Sequence, residues 1–157
     1  MPSVQQLTVG ASDIILMLHH IGVITTNLEA SIGFYSTLRY SASEIYLDPV
    51  QKARIVLMQH TGHEPLVELV CPETRESPAA KWVQRIQAGP YHLCYEAANL
   101  ESAVEFLRKQ HHFPVLGPVP AVAFEMRRVA FLWSPNTGLL ELLECSNTST
   151  TAISTNP

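Results

Sequence analysis

The chain carries little charge. Only 15% of its 157 residues are Asp, Glu, Lys or Arg, the formal net charge is -4, and no cluster of Lys and Arg exceeds the pair Arg127-Arg128. A nucleic-acid surface or an anionic membrane face needs a basic stripe, so neither partner is expected. The three cysteines, Cys71, Cys94 and Cys145, are odd in number and lack a CxxC spacing. They indicate neither a disulfide framework nor a thiolate metal site, and a reducing cytoplasm is the simpler compartment. Long apolar runs are missing as well: Ile14 to Leu18 falls far short of the ~20 residues that span a bilayer, and the first residues lack the charged start and cleavage site of a signal peptide. What is present is 46% hydrophobic residues, enough for a real core in one domain or two small packed modules.

The chain is organised by a repeat. His19 to Tyr35 (HHIGVITTNLEASIGFY) returns as Tyr91 to Leu107 (YHLCYEAANLESAVEFL), with His20 over His92, Asn27 over Asn99, Leu28 over Leu100, Glu29 over Glu101 and Phe34 over Phe106, each pair 72 positions apart. The end of each copy matches too, Leu66 to Val70 (LVELV) against Leu139 to Leu143 (LLELL), with Glu68 and Glu141 73 apart. Each half thus offers one histidine near its start and one glutamate inside its last apolar run.

The element order follows from local signals. Leu18 to Thr25 reads as a strand in which Gly22 permits close packing, and Asn27 caps a helix to about Leu38 whose apolar face is Leu28, Ile32 and Tyr35. Tyr40 to Leu47, Ala53 to Gln59 and Pro65 to Val70 are three further strands, separated by Asp48-Pro49 and by a turn at Thr61 to Glu64, so the first half is βαβββ. Pro72 to Gln87 is a connector with a helix start at Ser77-Pro78 and a stripe of Trp82, Val83 and Ile86. The second half repeats the order: a strand from Tyr91 to Ala97, the Asn99-capped helix with Leu100, Val104 and Leu107, then apolar runs near Val115, at Val129 to Trp133 and at Leu139 to Leu143. Gly117-Pro118-Val119-Pro120 forces turn or extended backbone, and Ser134 to Gly138 joins two antiparallel strands. The expected organisation is a lead-in over 1–17, module one over 18–71, a connector over 72–89, module two over 90–145 and a disordered tail over 146–157.

Strand alternation carries the chemistry. A sheet whose helix-covered face takes Val67 and Leu69 sends Glu68 to the other, open face, and Leu140 and Leu142 do the same for Glu141. A carboxylate among apolar neighbours is expensive to bury and requires a partner. If the two sheets form one surface, His20, Glu68, His92 and Glu141 converge, and two imidazoles with two carboxylates suit a divalent first-row metal. Singly, such residues are more often core or edge residues, but packing gives a duplicated fold no reason to keep His and Glu at matched positions. The other histidines are expected to be structural: His19 on the face opposite His20, His60 and His63 beside a turn, His111 and His112 at a helix end. Arg127-Arg128 is a strand start that can also hold an anion beside a cleft.

His20 to Val23, Asn27 to Glu29, Val67 to Leu69, Ser77-Pro78, Tyr91 to Cys94 with Glu96 and Asn99, Val129 to Leu132 and Leu139 to Leu142 together resemble the vicinal oxygen chelate (glyoxalase/bleomycin resistance/dioxygenase) superfamily, and within it most of all the methylmalonyl-CoA epimerases. The resemblance implies an α+β fold of two tandem βαβββ modules forming one curved mixed sheet around a metal-binding cleft. It implies a divalent ion (Co, Ni, Zn, Mn or Mg) on His20, Glu68, His92 and Glu141, with Glu141 also a candidate for acid or base work. The epimerases have a second carboxylate in the turn before their third strand, where the nearest acidic residue here is Asp48; the segment Ala121 to Arg128 also departs from their pattern and is expected to line a different pocket.

Three functions follow from that resemblance. The first is a metal-dependent isomerase or lyase that works through an enolate, epimerase-like, on an acyl thioester of the methylmalonyl-CoA type. The second is a lyase of the glyoxalase I type acting on a glutathione hemithioacetal. The third is a non-catalytic small-molecule (drug) binding protein, against which the four potential ligands argue. A dioxygenase needs two histidines and one carboxylate on iron, and the fourth ligand, Glu68, disfavours it. A homodimer is the common assembly among proteins of this resemblance.

Overall fold

The computed structural model describes residues 14, 16–62 and 65–146. The lead-in up to Asp13, the tail beyond Ser146 and the turn residues His63 and Glu64 lie outside the described residues.

The second half is a βαβββ unit, and the first has the same order with its second strand split in two. The first holds β1 (Leu16–Ile24), α1 (Leu28–Thr37), β2 (Tyr40–Ala42), β3 (Tyr46–Asp48), β4 (Ala53–His60) and β5 (Leu66–Pro72). After the connector helix α2 (Ala80–Ile86), the second holds β6 (Gly89–Ala97), α3 (Leu100–Lys109), β7 (Phe113–Pro120), a 3-10 turn at Val122–Phe124, β8 (Arg128–Ser134) and β9 (Gly138–Glu144). The strands form one mixed sheet ordered β2-β4-β5-β1-β6-β9-β8-β7, with β3 also paired to β4. Within each half the first strand runs parallel to the last, β1 with β5 and β6 with β9, and the halves join through antiparallel β1 and β6. That junction puts all four strands carrying the repeated His and Glu side by side at the centre of the sheet.

The repeat extends to helix ends. Asn27 Oδ1 accepts a hydrogen bond from the Ala30 N–H (3.0 Å) and Asn99 Oδ1 from the Ser102 N–H (2.8 Å), each satisfying an orphan donor of a first turn. Each helix is left through a residue of positive φ, Arg39 (68°) and His111 (61°). His112 then turns its Nδ1 to the Leu107 and Gln110 carbonyls at 3.2 and 3.1 Å, at the C-terminal end where donors are favoured.

The helices cover one face of the sheet. Leu28, Ile32 and Tyr35 pack with Val23, Val56, Met58, Val67 and Leu69 under α1, and Leu100, Val104 and Leu107 pack with Ala130, Leu132 and Leu142 under α3. The other face, expected to be open, is covered in part: Ala79 with Trp82 and Val83 of the connector, and Ala123 with Phe124 of the 3-10 turn, pack there against Ile24, Ile55, Val70, Tyr91, Phe131, Leu139 and Leu143. Two boundaries also differ from expectation. Tyr40 to Leu47 is broken into β2 and β3, both on β4, because the Ser43 Oγ takes the Leu57 N–H between them. The connector helix begins at Ala80, since Ser77 Oγ accepts from the Ala79 N–H and donates to the Gln51 carbonyl, tying the chain to the turn before β4. No helix among the described residues is long and apolar enough to cross a membrane.

Candidate metal centre

Strand register brings the four repeated residues to one point. In β1 and β6, Gly22 stands opposite His92 and His20 opposite Cys94; across the parallel pairs Gly22 faces Glu68 and Cys94 faces Glu141. Gly22 and Cys94 are themselves 72 positions apart, so the two halves build equivalent corners of one site. The glycine is needed for a close approach, because a Cβ at Gly22 would lie only 2.0 Å from Cε1 of the His92 ring.

The alternation rule fails at one place that matters. The β1–β6 register slips between Leu18 and His20 and again between Gly22 and Val23, leaving His19 as the extra residue on β1 and Tyr91 as the extra residue on β6. These are bulges, and each stands just before a ligand candidate, where a bulge re-aims a side chain. His19 was expected on the face opposite His20; instead the rings meet, with Nδ1 to Nδ1 at 2.9 Å. Tyr91 contacts His92 edge-on, with centroids 4.5 Å apart.

His20, Glu68, His92 and Glu141 are 0%, 1%, 3% and 1% exposed, and one donor atom from each lies within 4.8 Å of all the others. His20 Nε2 is 2.9 Å from Glu141 Oε2 and 3.5 Å from Glu68 Oε2; His92 Nε2 is 3.0 and 3.5 Å from the same two oxygens, and the two Nε2 atoms are 3.2 Å apart. Two donors about 2.1 Å from a shared ion, ~90–110° apart, would sit roughly 3.0–3.4 Å from each other. The cluster has that spacing, and Glu141 Oε2, though at ion-pair distance from both rings, has no aligned hydrogen-bond donor among the described residues. Two neutral imidazoles and two carboxylates also balance one divalent charge. The residues fit the ion.

Electrostatics within the cluster shift His20 and Glu141 in opposite directions. Burial pulls the His20 pKa down, but the Glu68 and Glu141 carboxylates outweigh it and hold it up at about 10. Burial likewise raises Glu141, and the two imidazoles overcome it to hold that carboxyl well below the usual range. Beside them, Cys94 is kept a thiol by burial and by the same carboxylates.

The surroundings include Phe124, which no spacing pattern marked, with Phe131 and the Arg127-Arg128 pair. Phe124 stacks on His20 (5.1 Å, 17°) and Phe131 meets His92 edge-on at 5.5 Å. Arg127 braces the 3-10 turn, with its guanidinium against the Phe124 ring and carbonyl and paired with Glu96 at 2.6 Å. Arg128 faces the other way, onto Glu101 and Glu144. A cleft of about 720 Å³ adjoins the cluster, lined by His19, Leu57, Leu66, Phe124 and Arg127 among others. Asp48 is not brought into the four-donor group: it is buried in its own turn, Oδ1 accepting the Val50 and Gln51 N–H groups and Oδ2 the Gln51 side-chain amide.

Residues 19–131 match the sequence profile of the Glyoxalase/Bleomycin resistance protein/Dioxygenase superfamily. The chain belongs to that superfamily. Among curated relatives it is similar to the human mitochondrial methylmalonyl-CoA epimerase, 32% identical over 95 residues, a stretch covering 59% of this chain and 53% of that protein. The match therefore spans about half the length of that relative. Among solved structures it resembles a hypothetical protein of Bacillus halodurans C-125 (25% identity, TM-score 0.72, covering 85% of this chain and 97% of that one). It also resembles methylmalonyl-CoA epimerase from Mycobacterium tuberculosis (22%, TM-score 0.71, 82% and 87%), a likeness of fold. The paired βαβββ architecture is the one expected of this superfamily.

Proposed function

We propose that the protein is a metal-dependent isomerase that moves the proton α to the carbonyl of an acyl thioester through an enolate, in the manner of methylmalonyl-CoA epimerases. The observation that carries this is the convergence of His20, Glu68, His92 and Glu141 on one buried point. Similarity to an enzyme named methylmalonyl-CoA epimerase supports the substrate class. A divalent ion bound by these four residues would supply Lewis acidity toward a thioester carbonyl and stabilise negative charge on its oxygen.

The chain's own residues do the rest. Glu141 is the proposed proton carrier, because its Oε2 faces the cluster without an aligned donor. Inverting a centre requires proton delivery from the opposite side, and Asp48 is the proposed second carboxylate; it serves only if its turn loosens, since both its oxygens are engaged. Burial of the four residues and the stacked Phe124 ring exclude water from the cluster, and the adjoining cleft has the volume of a small-molecule site.

The test is divalent metal content of wild type, His92→Ala and Glu141→Ala, followed by solvent deuterium exchange into methylmalonyl-CoA. About one ion per chain, lost in both variants, with exchange in the wild type, supports the reading. Asp48→Asn keeps the turn's main acceptor; epimerisation of methylmalonyl-CoA undiminished in that variant would remove Asp48 from the chemistry, since exchange alone needs only Glu141. Turnover of a glutathione hemithioacetal without thioester exchange would replace the epimerase reading with the lyase one, and absence of metal under every loading would leave a binding protein.

A further inference from the structure

The two histidines at matched positions are supported differently. His20 has its Nδ1 2.9 Å from Nδ1 of His19. His92 Nδ1 is buried and has no hydrogen-bond partner among the described residues; its ring is held by shape, edge-on to Tyr91 and Phe131 and pressed onto Gly22. His19 and Tyr91 are the two bulge residues, 72 apart, so the fold supplies the same backbone device twice and the sequence fills it with two different side chains.

The tautomers follow from where the ring nitrogens face. His20 Nε2 points to Glu68, Glu141 and His92, so as a ligand it offers that nitrogen's lone pair and carries its proton on Nδ1. The only way to satisfy the 2.9 Å contact is then for His20 Nδ1–H to donate to His19 Nδ1, which leaves His19's own proton on Nε2. The His19 ring is fixed in turn, edge-on to Phe124 at 5.4 Å, while Phe124 stacks on His20. We propose that His19 is a positioning residue that locks His20 in its Nδ1-protonated tautomer and holds its Nε2 toward the other three donors. The role rests on the metal-centre reading above. It exists because of the bulge, since strict alternation would have sent His19 under the helices.

The experiment compares the full chain with His19→Phe, which keeps an aromatic ring without an acceptor, and His19→Asn, whose Oδ1 can take the Nδ1 position. Divalent affinity is read by competition with a chromophoric chelator, using zinc. Partners of metal-bound histidines are worth about 10–100-fold in affinity, so His19→Phe should weaken zinc by that factor and His19→Asn should recover most of it. Independently of any variant, ¹⁵N NMR of the zinc-loaded wild type should show His20 protonated at Nδ1 and His19 at Nε2. Binding by His19→Phe within twofold of wild type, equal weakness in both variants, or the opposite His20 tautomer would overturn the role of His19 while leaving the metal centre standing. A wild type that binds no divalent ion overturns the metal centre itself.

Discussion

Gly22→Ala adds one methyl group at the most crowded point of the site. The new Cβ would lie 2.0 Å from His92 Cε1, 2.2 Å from Nδ1 and 2.3 Å from Nε2. Non-bonded carbon contacts settle near ~3.5–4.0 Å, so the ring must retreat by roughly 1.5 Å. It has little room to do so, with ring centroids of Tyr91 at 4.5 Å, His20 at 5.3 Å and Phe131 at 5.5 Å. Metal–ligand distances hold to about ±0.2 Å, and the displacement carries Nε2 well beyond that. Losing merely a partner of a ligand costs about 10–100-fold, so losing the ligand position should weaken divalent binding by roughly 100-fold or more. Overpacking should also destabilise the metal-stripped protein by about 1–3 kcal/mol, or about 2–4 °C in Tm per kcal/mol for a chain of this size. Gly33→Ala is the control: the same methyl on α1 meets nothing within 4 Å, and should leave metal binding unchanged while stabilising by about 0.4–1 kcal/mol. The assays are chelator competition and thermal unfolding. A Gly22→Ala protein that binds zinc like the wild type and melts within a degree of it would refute the packing argument.

Further outcomes follow from the same geometry. With the His20 pKa raised to about 10, metal-stripped protein at pH 7 holds a proton on that ring, so loading should release it, seen as a binding enthalpy that varies with the ionisation enthalpy of the buffer. The raised pKa means that this group's stabilisation is complete below its unfolded value of 6.5 and is lost as pH rises through about 10; the depressed Glu141 pKa means that its stabilisation is present above 4.5 and is lost as pH falls through its folded value. Chemical denaturation of the metal-stripped protein should therefore show lower stability at pH 10.5 than at pH 6, and flat stability across that range would contradict the coupling. Asn27→Ala and Asn99→Ala should each cost about 1 kcal/mol in urea unfolding, and nearly the sum together because they cap helices on opposite halves of the sheet.

How legible the site was depended on register. Glu68 and Glu141 were placed correctly by alternation because their strands pair without a slip on either side: β5 with β1 and β4, β9 with β6 and β8. His20 and His92 were found by duplication, which needs no register at all. His19 was misplaced because the β1–β6 pairing slips twice, and a bulge belongs to two strands at once, so neither strand's periodicity can announce it. Phe124 was invisible for another reason: it reaches His20 from a short 3-10 turn far along the chain, a contact that no spacing rule covers. Yet the slips themselves obey the repeat, since His19 and Tyr91 are 72 apart like the histidines they precede, His20 and His92. The duplicated sheet brings two histidines from adjacent antiparallel strands within 3.2 Å of each other with each strand bulged at the equivalent place of its own repeat, one extra residue per strand just before the histidine. The bulge is therefore as much a part of the repeated pattern as the histidine, and in a related paired-module chain the residue just before each matched histidine is where differences in how the two halves aim that ring should be sought.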